Sequence, residues 1–175
     1  MRAYKFLTAD RRSPITGFRW PESGWVEAAG RLEACRNGVH ACRVEDLPHW
    51  IGDELWAVEI AGEVQPAPDG VVARRGRLVE RVQEWADGAA REFADDCARR
   101  AEILAGETAT VADRASDATA NAARGWVSAS AYIAAVVAGQ AGSGRLAGPV
   151  YEQHFLAERA RQAAWLRERL RLSQD

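Results

Sequence analysis

Lysine is nearly missing from this chain: of 23 basic residues in 175, only Lys5 is one and the rest are arginine. The skew matches GC-rich coding, and no functional reading attaches to it. An excess of either charge is missing as well. A net charge of −2 and a pI near 6.0 leave no basic footprint for a phosphate backbone, which excludes nucleic acid as the expected partner. Arg11-Arg12 and Arg74-Arg75 are local pairs only. Long apolar runs are lacking, and the most apolar stretch, residues 129–138, is far too short to span a membrane. Residues Met1 to Leu7 meet charge within a few positions and form no apolar secretory segment, so a cytoplasmic setting is expected. In that setting the three cysteines are expected as free thiols rather than a disulfide framework. Neither a Walker loop nor a Gly-x-Gly-x-x-Gly fingerprint occurs.

What is present suffices for a packed core, with 47% hydrophobic and 27% charged residues. The expected fold is α+β: a small, mostly antiparallel sheet over residues 1–76, packed by a helical region over residues 77–175 in one compact unit. Tyr4 to Leu7, Ile15 to Trp20, Trp25 to Ala28 and Val71 to Ala73 read as short strands, and Glu45 to Ile51 as one or two helical turns. Leu55 to Ala61 is the strongest strand, with Trp56, Val58 and Ile60 alternating onto one face; Gly62 to Gly70 reads as a surface connection. From Leu78 the apolar period lengthens, through Val82, Trp85, Ala89, Phe93, Cys97, Ala101 and Leu104, to that of a helix. Residues 107–124 fit either a weak amphipathic helix through Val111, Ala115 and Ala118 or a loop. A short helix over residues 126–138, a glycine-rich loop over residues 139–148 and a last helix from about Pro149 to Leu172 complete the expectation.

The segment Cys35-Arg36-Asn37-Gly38-Val39-His40-Ala41-Cys42 carries the main functional lead. Asn-Gly between apolar runs is a strong signal for a type I′ hairpin, because both turn residues need positive φ. That register sets Cys35 opposite His40 and Glu33 opposite Cys42. Side chains alternate along strands, so Glu33, Cys35, His40 and Cys42 would share one face. An imidazole beside a thiol suits acid/base or thiol-assisted chemistry, with His40, Cys35 and Glu33 as catalytic candidates. Zinc would draw on Cys35, His40 and Cys42 with Glu33 or His49. Structural zinc sites pair Cys-x2-4-Cys from two segments, and no second pair exists, so no metal is expected. Seven tryptophans are many for this length; Trp20, Trp25, Trp50 and Trp56 lie in the β-rich half and are candidate pocket walls, with Cys42 and Glu59 as further binding candidates. Arg74-Arg75-Gly76-Arg77 is either an anion grip or a solvated loop.

The pattern Tyr4-Lys5-Phe6, Gly17-Phe18, Leu32-x2-Cys35-x2-Gly38-x-His40-Ala41-Cys42, Leu55-x-x-Val58-Glu59-x-x-Gly62 and Val71-Val72-Ala73 resembles a poorly characterised family of bacterial and phage proteins, over residues 3 to about 82. That family implies no activity, and residues 83–175 lie outside it. The order of Gly38 to Ala41, Leu47 to Ile51, Trp56 to Ile60 and Val71 to Arg77 is also similar in architecture to small ADP-ribosyltransferases of the rifampin-modifying and RNA 2′-phosphotransferase kind, which implies NAD use. The His or Arg such enzymes carry in the first strand would fall near Tyr4-Lys5-Phe6, where neither stands. The leading expectation is a small enzyme acting on a small organic molecule without a cofactor. The alternatives are a non-catalytic binding or assembly module, with a homo-oligomer formed through the helices, and an NAD-using protein.

Overall fold

The computed structural model describes residues 1–106 and 109–173. The chain divides into two compact units: residues 1–87 with the segment from Leu170 onward, and residues 88–169. The first holds an antiparallel sheet and the second is helical, an α+β fold as expected.

In the sheet unit β1 (Arg2–Leu7) pairs with β4 (Glu54–Ala67), and β4 pairs with β5 (Gly70–Arg81). β5 in turn pairs with β2 (Val26–Glu27) and β3 (Val39–Ala41). Just beyond β3, Cys42 and Tyr4 exchange two backbone hydrogen bonds of 2.7 and 2.8 Å, which brings the chain back to β1 and closes the ring of strands. The inner face is apolar. Ala3, Leu7, Val39, Ala41, Val58, Ile60, Val71 and Ala73 form one buried cluster with Trp20. Each large aliphatic side chain so buried contributes about 1.5–3 kcal/mol of hydrophobic free energy. Alternation along β1 assigns Lys5 to this same face, between Ala3 and Leu7. The C-terminal segment belongs to this unit too, with Tyr4 Oη donating to the Ser173 carbonyl at 2.8 Å.

Several local expectations change. Ile15 to Trp20 is a turn: Ser13 N–H bonds the Phe18 carbonyl at 2.9 Å and Ile15 is exposed. Gly62 to Gly70 is mostly strand, because β4 continues through a bulge between Ala61 and Val64 and tolerates Pro66 before turning at Pro68-Asp69. β5 likewise runs to Arg81, past the expected boundary at residue 76, and Leu78 pairs with Val58 instead of opening a helix. Leu78 and Val82 match both periods, and pairing with β4 decides between them. Arg74 to Arg77 therefore lie within β5, not in a loop. The expected turns after Arg43 form a 3-10 helix, Val44–His49, where the Asp46 carboxylate accepts the Arg43 backbone N–H at 3.0 Å.

The helical unit contains α1 (Ala90–Ala105), α2 (Ala109–Ala123), α3 (Val127–Ser143) and α4 (Pro149–Arg169). Apart from its first two positions, which lie outside the described residues, the ambiguous stretch 107–124 resolves as helix, with Val111, Ala115 and Ala118 buried. α3 packs against each of the other three helices and buries Ala131, Ala134, Ala135 and Val137. It also runs on to Ser143, into the first half of the expected glycine-rich loop, and leaves residues 144–148 as the connection to α4. A Cβ on Gly142 would stand 2.3 Å from the His154 ring, so small residues allow α3 and α4 to approach closely there. The interior also holds charge. Glu158 is 3% exposed and meets Arg161 at 2.8 Å and Arg100 at 3.3 Å, and Gln162 Nε2 donates to the Ala131 carbonyl at 2.9 Å.

Candidate functional site

The sheet unit contains a cavity of about 420 Å³, within the roughly 300–1,000 Å³ typical of small-molecule sites. Its walls come from the inner strand face, the turn at residues 13–18 and the segment around Asp69. Trp20 supplies a rigid aromatic wall. It is almost fully buried, donates its indole N–H to Ser13 Oγ at 3.0 Å and meets Phe18 edge to face at 6.0 Å. Trp50 stands on another side, its indole N–H bonded to the Asp69 carbonyl at 2.7 Å.

The expected Asn37-Gly38 hairpin does not form. Residues 33–37 close a tight turn in which Glu33 and Asn37 exchange backbone hydrogen bonds of 2.9 Å, and Cys35 sits at its apex with φ of 64°. β3 takes β5 as its partner, leaving Cys35 out of any ladder. Gly38 links turn to strand at φ of 137°, and a Cβ there would lie 2.1 Å from Val72 Cγ2. Cross-strand packing against β5 thus overrides the local turn preference. The four residues expected on one face are dispersed. Glu33 is half-exposed, pairs with Arg36 at 3.2 Å and does not line the cavity, whereas Cys35, His40 and Cys42 do.

His40 and Cys35 nevertheless meet, through the backbone. The Cys35 N–H donates to His40 Nε2 at 2.8 Å, and His40 Nδ1 lies 3.1 Å from the Gly38 carbonyl. A carbonyl only accepts, so Nδ1 carries the proton and the neutral ring pins the turn to β3. Burial, then the charge of Lys5, hold the imidazole below its ordinary pKa. Both ring nitrogens are therefore engaged, and His40 acts first as a positioning group. The Cys42 thiol is pushed up to about 12 by burial, against the opposing pull of Lys5, and stays protonated at neutral pH. Cys35, Cys42 and Cys97 are all free, and of the three Cys35 alone is exposed.

Trp25, Trp56 and Glu59 do not line the cavity. Trp25 is stacked by the Arg75 and Arg77 guanidiniums at 4.7 and 5.1 Å, and Glu59 accepts from Arg77 Nε at 2.7 Å. Trp56 packs on the core cluster and donates to Glu54 at 2.9 Å. The supposed anion grip is likewise spent within the sheet unit: Arg74 pairs with Glu63 at 2.9 Å and Arg77 with Glu59.

The residue that sequence reasoning missed is Lys5. It lines the cavity half-buried, donates from Nζ to the His40 carbonyl at 2.7 Å and stands 5.7 Å from the Trp20 ring centroid. Burial lowers its pKa from the usual lysine range, with Cys42 working weakly the other way. The signal was in view. A strand reading Ala3-Lys5-Leu7 on one face carries a lone amine among apolar neighbours. Among the described residues no three His, Cys, Asp or Glu side chains gather as metal ligands, and no helix is long and apolar enough to cross a membrane.

Residues 1–86 match the model of an uncharacterised family, described as a domain of unknown function (DUF7666). The match spans the strands and the cavity and ends before α1. No curated protein and no solved structure matches this chain.

Proposed function

We propose that the cavity binds a small organic molecule with an apolar or aromatic body, and that the protein is a small enzyme acting on it. The observation that carries the reading is a single amine set in an aromatic-walled cavity of suitable size. Lys5 is the group that exchanges a proton with the ligand, or bonds it. His40 positions both Lys5, through its carbonyl, and the Cys35 turn, through its ring. Cys35 offers a second reactive group at the rim, and Trp20 and Trp50 hold the ligand body.

Ligand-observed NMR with ring-containing fragments tests this, with each hit followed over time for chemical change. Hits are expected to compete with one another and to lose about tenfold in affinity, near 1.4 kcal/mol, in Trp20→Leu. Binders that keep full affinity in both Trp20→Leu and Lys5→Met would refute the site. The order of elements expected to resemble small ADP-ribosyltransferases makes NAD the first nucleotide to titrate in the same assay.

A second reading is favoured by one observation in the helical unit. Tyr132, Leu146 and Val150 are large hydrophobic residues more than half exposed on or beside α3 and α4, which suits assembly with a second copy. Light scattering over a dilution series tests it. A mass that stays at one chain at every concentration removes the reading.

A further inference from the structure

Lys5 has the surroundings of a nucleophilic amine rather than those of a structural cation. Among the described residues no carboxylate lies within ion-pairing distance of Nζ, and the His40 carbonyl is its one hydrogen-bond acceptor. An ammonium has three N–H bonds to satisfy, and among the protein's described oxygens only the His40 carbonyl accepts one of them. The Trp20 ring face at 5.7 Å is a weak substitute. A neutral amine is satisfied by one accepted donation and keeps its lone pair for reaction. Of the titratable groups that line the cavity, Cys42 remains a thiol, His40 a neutral ring and Arg36 is paired with Glu33, while the Glu27 and Asp69 carboxylates form no ion pair with Nζ. An anion would find one half-buried amine with no second free cation among these neighbours, so a carbonyl is the better electrophilic partner.

We propose that Lys5 forms a reversible imine with an aldehyde or ketone of aromatic or apolar body held in this cavity. The inference rests on the small-molecule reading of the cavity and adds the substrate class. The Nζ lone pair attacks the carbonyl carbon, one N–H proton passes to the oxygen to give a carbinolamine, and the C–O bond then breaks as the second N–H proton joins the departing hydroxyl. Water leaves and a C=N bond remains, so no oxidant or reductant is needed. β1 fixes the geometry, because Lys5 is paired with Trp56 of β4 and its amine is anchored on the His40 carbonyl. Trp20, Phe18 and Trp50 would flank the carbonyl's body and keep bulk water from the imine.

The test uses the full chain, benzaldehyde as the probe and sodium cyanoborohydride to trap any imine, read by intact mass and peptide mapping. One benzyl group is expected on Lys5, saturating with aldehyde concentration. Labelling should run severalfold faster than at the same lysine in the urea-unfolded chain, because the cavity holds the aldehyde beside an amine already anchored on the His40 carbonyl. The chain has no other lysine, so its terminal amine serves as the internal comparison. Trp20→Leu should slow labelling at Lys5 and leave the terminal amine unchanged, and Lys5→Arg should abolish the saturable phase. Labelling of Lys5 no faster than in the unfolded chain, or indifferent to Trp20→Leu, overturns the proposal. Benzyl alcohol separates the two readings. If it binds in the cavity by NMR while the aldehyde is not trapped, the imine is lost and the cavity stands; if neither occurs, both are lost.

Discussion

The sheet unit and the helical unit both pair the acids they bury, Asp46 and Glu54 in the one and Glu158 in the other, and they differ in a half-buried amine that only the sheet unit carries without a carboxylate partner. In the helices Glu158 is met by Arg161 and Arg100, Arg161 by Asp96, and Gln162 by Arg159 and the Ala131 carbonyl, so the interior charge is spent within the unit. In the sheet Lys5 has a single carbonyl for company and an open cavity beside it. Paired charge specifies packing, whereas a lone amine next to free volume keeps its chemistry available. Ala-rich helices leave little space between them, and a closed sheet with tryptophan at its mouth leaves some.

The sharpest way to break this contrast is to delete a partner from the helical network. Glu158→Ala takes the buried carboxylate from Arg100 and from Arg161, which keeps Asp96, and is expected to cost about 3 kcal/mol in urea unfolding, with Glu158→Gln costing less. A loss below about 0.5 kcal/mol would mean that the network is no more than a surface ion pair. Next in size, Gly38→Ala is expected to cost about 2 kcal/mol, since it needs both a left-handed backbone and a 2.1 Å approach to Val72. It should also abolish fragment binding, because Gly38 sets the Cys35 turn against His40.

His40→Gln sharpens the comparison through pH. The folded pKa of His40 lies below its ordinary 6.5, so the unfolded chain takes up the proton first. Stability is therefore expected to fall as pH drops below about 6.5, and urea midpoints measured between pH 7 and 5 should lose that contribution in the variant. Lys5→Met has the opposite sign from Glu158→Ala. Removing an amine whose charged form is disfavoured by burial should leave the urea midpoint at pH 7 unchanged or higher, whereas removing a paired charge lowers it. The smallest energetic effect belongs to Cys35→Ser, which should leave stability intact. Thiol titration should nevertheless count one reactive cysteine in the native chain and three after unfolding, the native one lost in that variant.

Much of the helical unit was legible because its periods are long. Ala89, Phe93, Cys97 and Ala101 mark one stripe, and Val111, Ala115 and Ala118 mark a second that composition alone left open. β4 was legible at its centre from Trp56, Val58 and Ile60, but not in its extension through Gly62 and Pro66, where breakers are carried by a bulge and by pairing with β5. At the site, Trp20, Trp50, Cys35, His40 and Cys42 were named from the sequence and do border one cavity. Glu33, Trp25, Trp56 and Glu59 do not. Glu33 was placed from a two-residue hairpin, and a register read from a turn fails wherever another strand competes for the same edge; Trp25, Trp56 and Glu59 were placed from composition and strand alternation, which do not say what lines a cavity.

Local sequence was enough to determine the class of the fold, the free thiols and the segment around which the candidate site is built, because periodicity, turn residues and cysteine spacing act over a few positions. Tertiary structure decided the partner of β3, the neutral tautomer of His40 and the setting of Lys5. Those depend on β5, β1 and the turn at residues 13–18 meeting across long stretches of chain, and only there does burial determine which charges are paired and which amine is left to react.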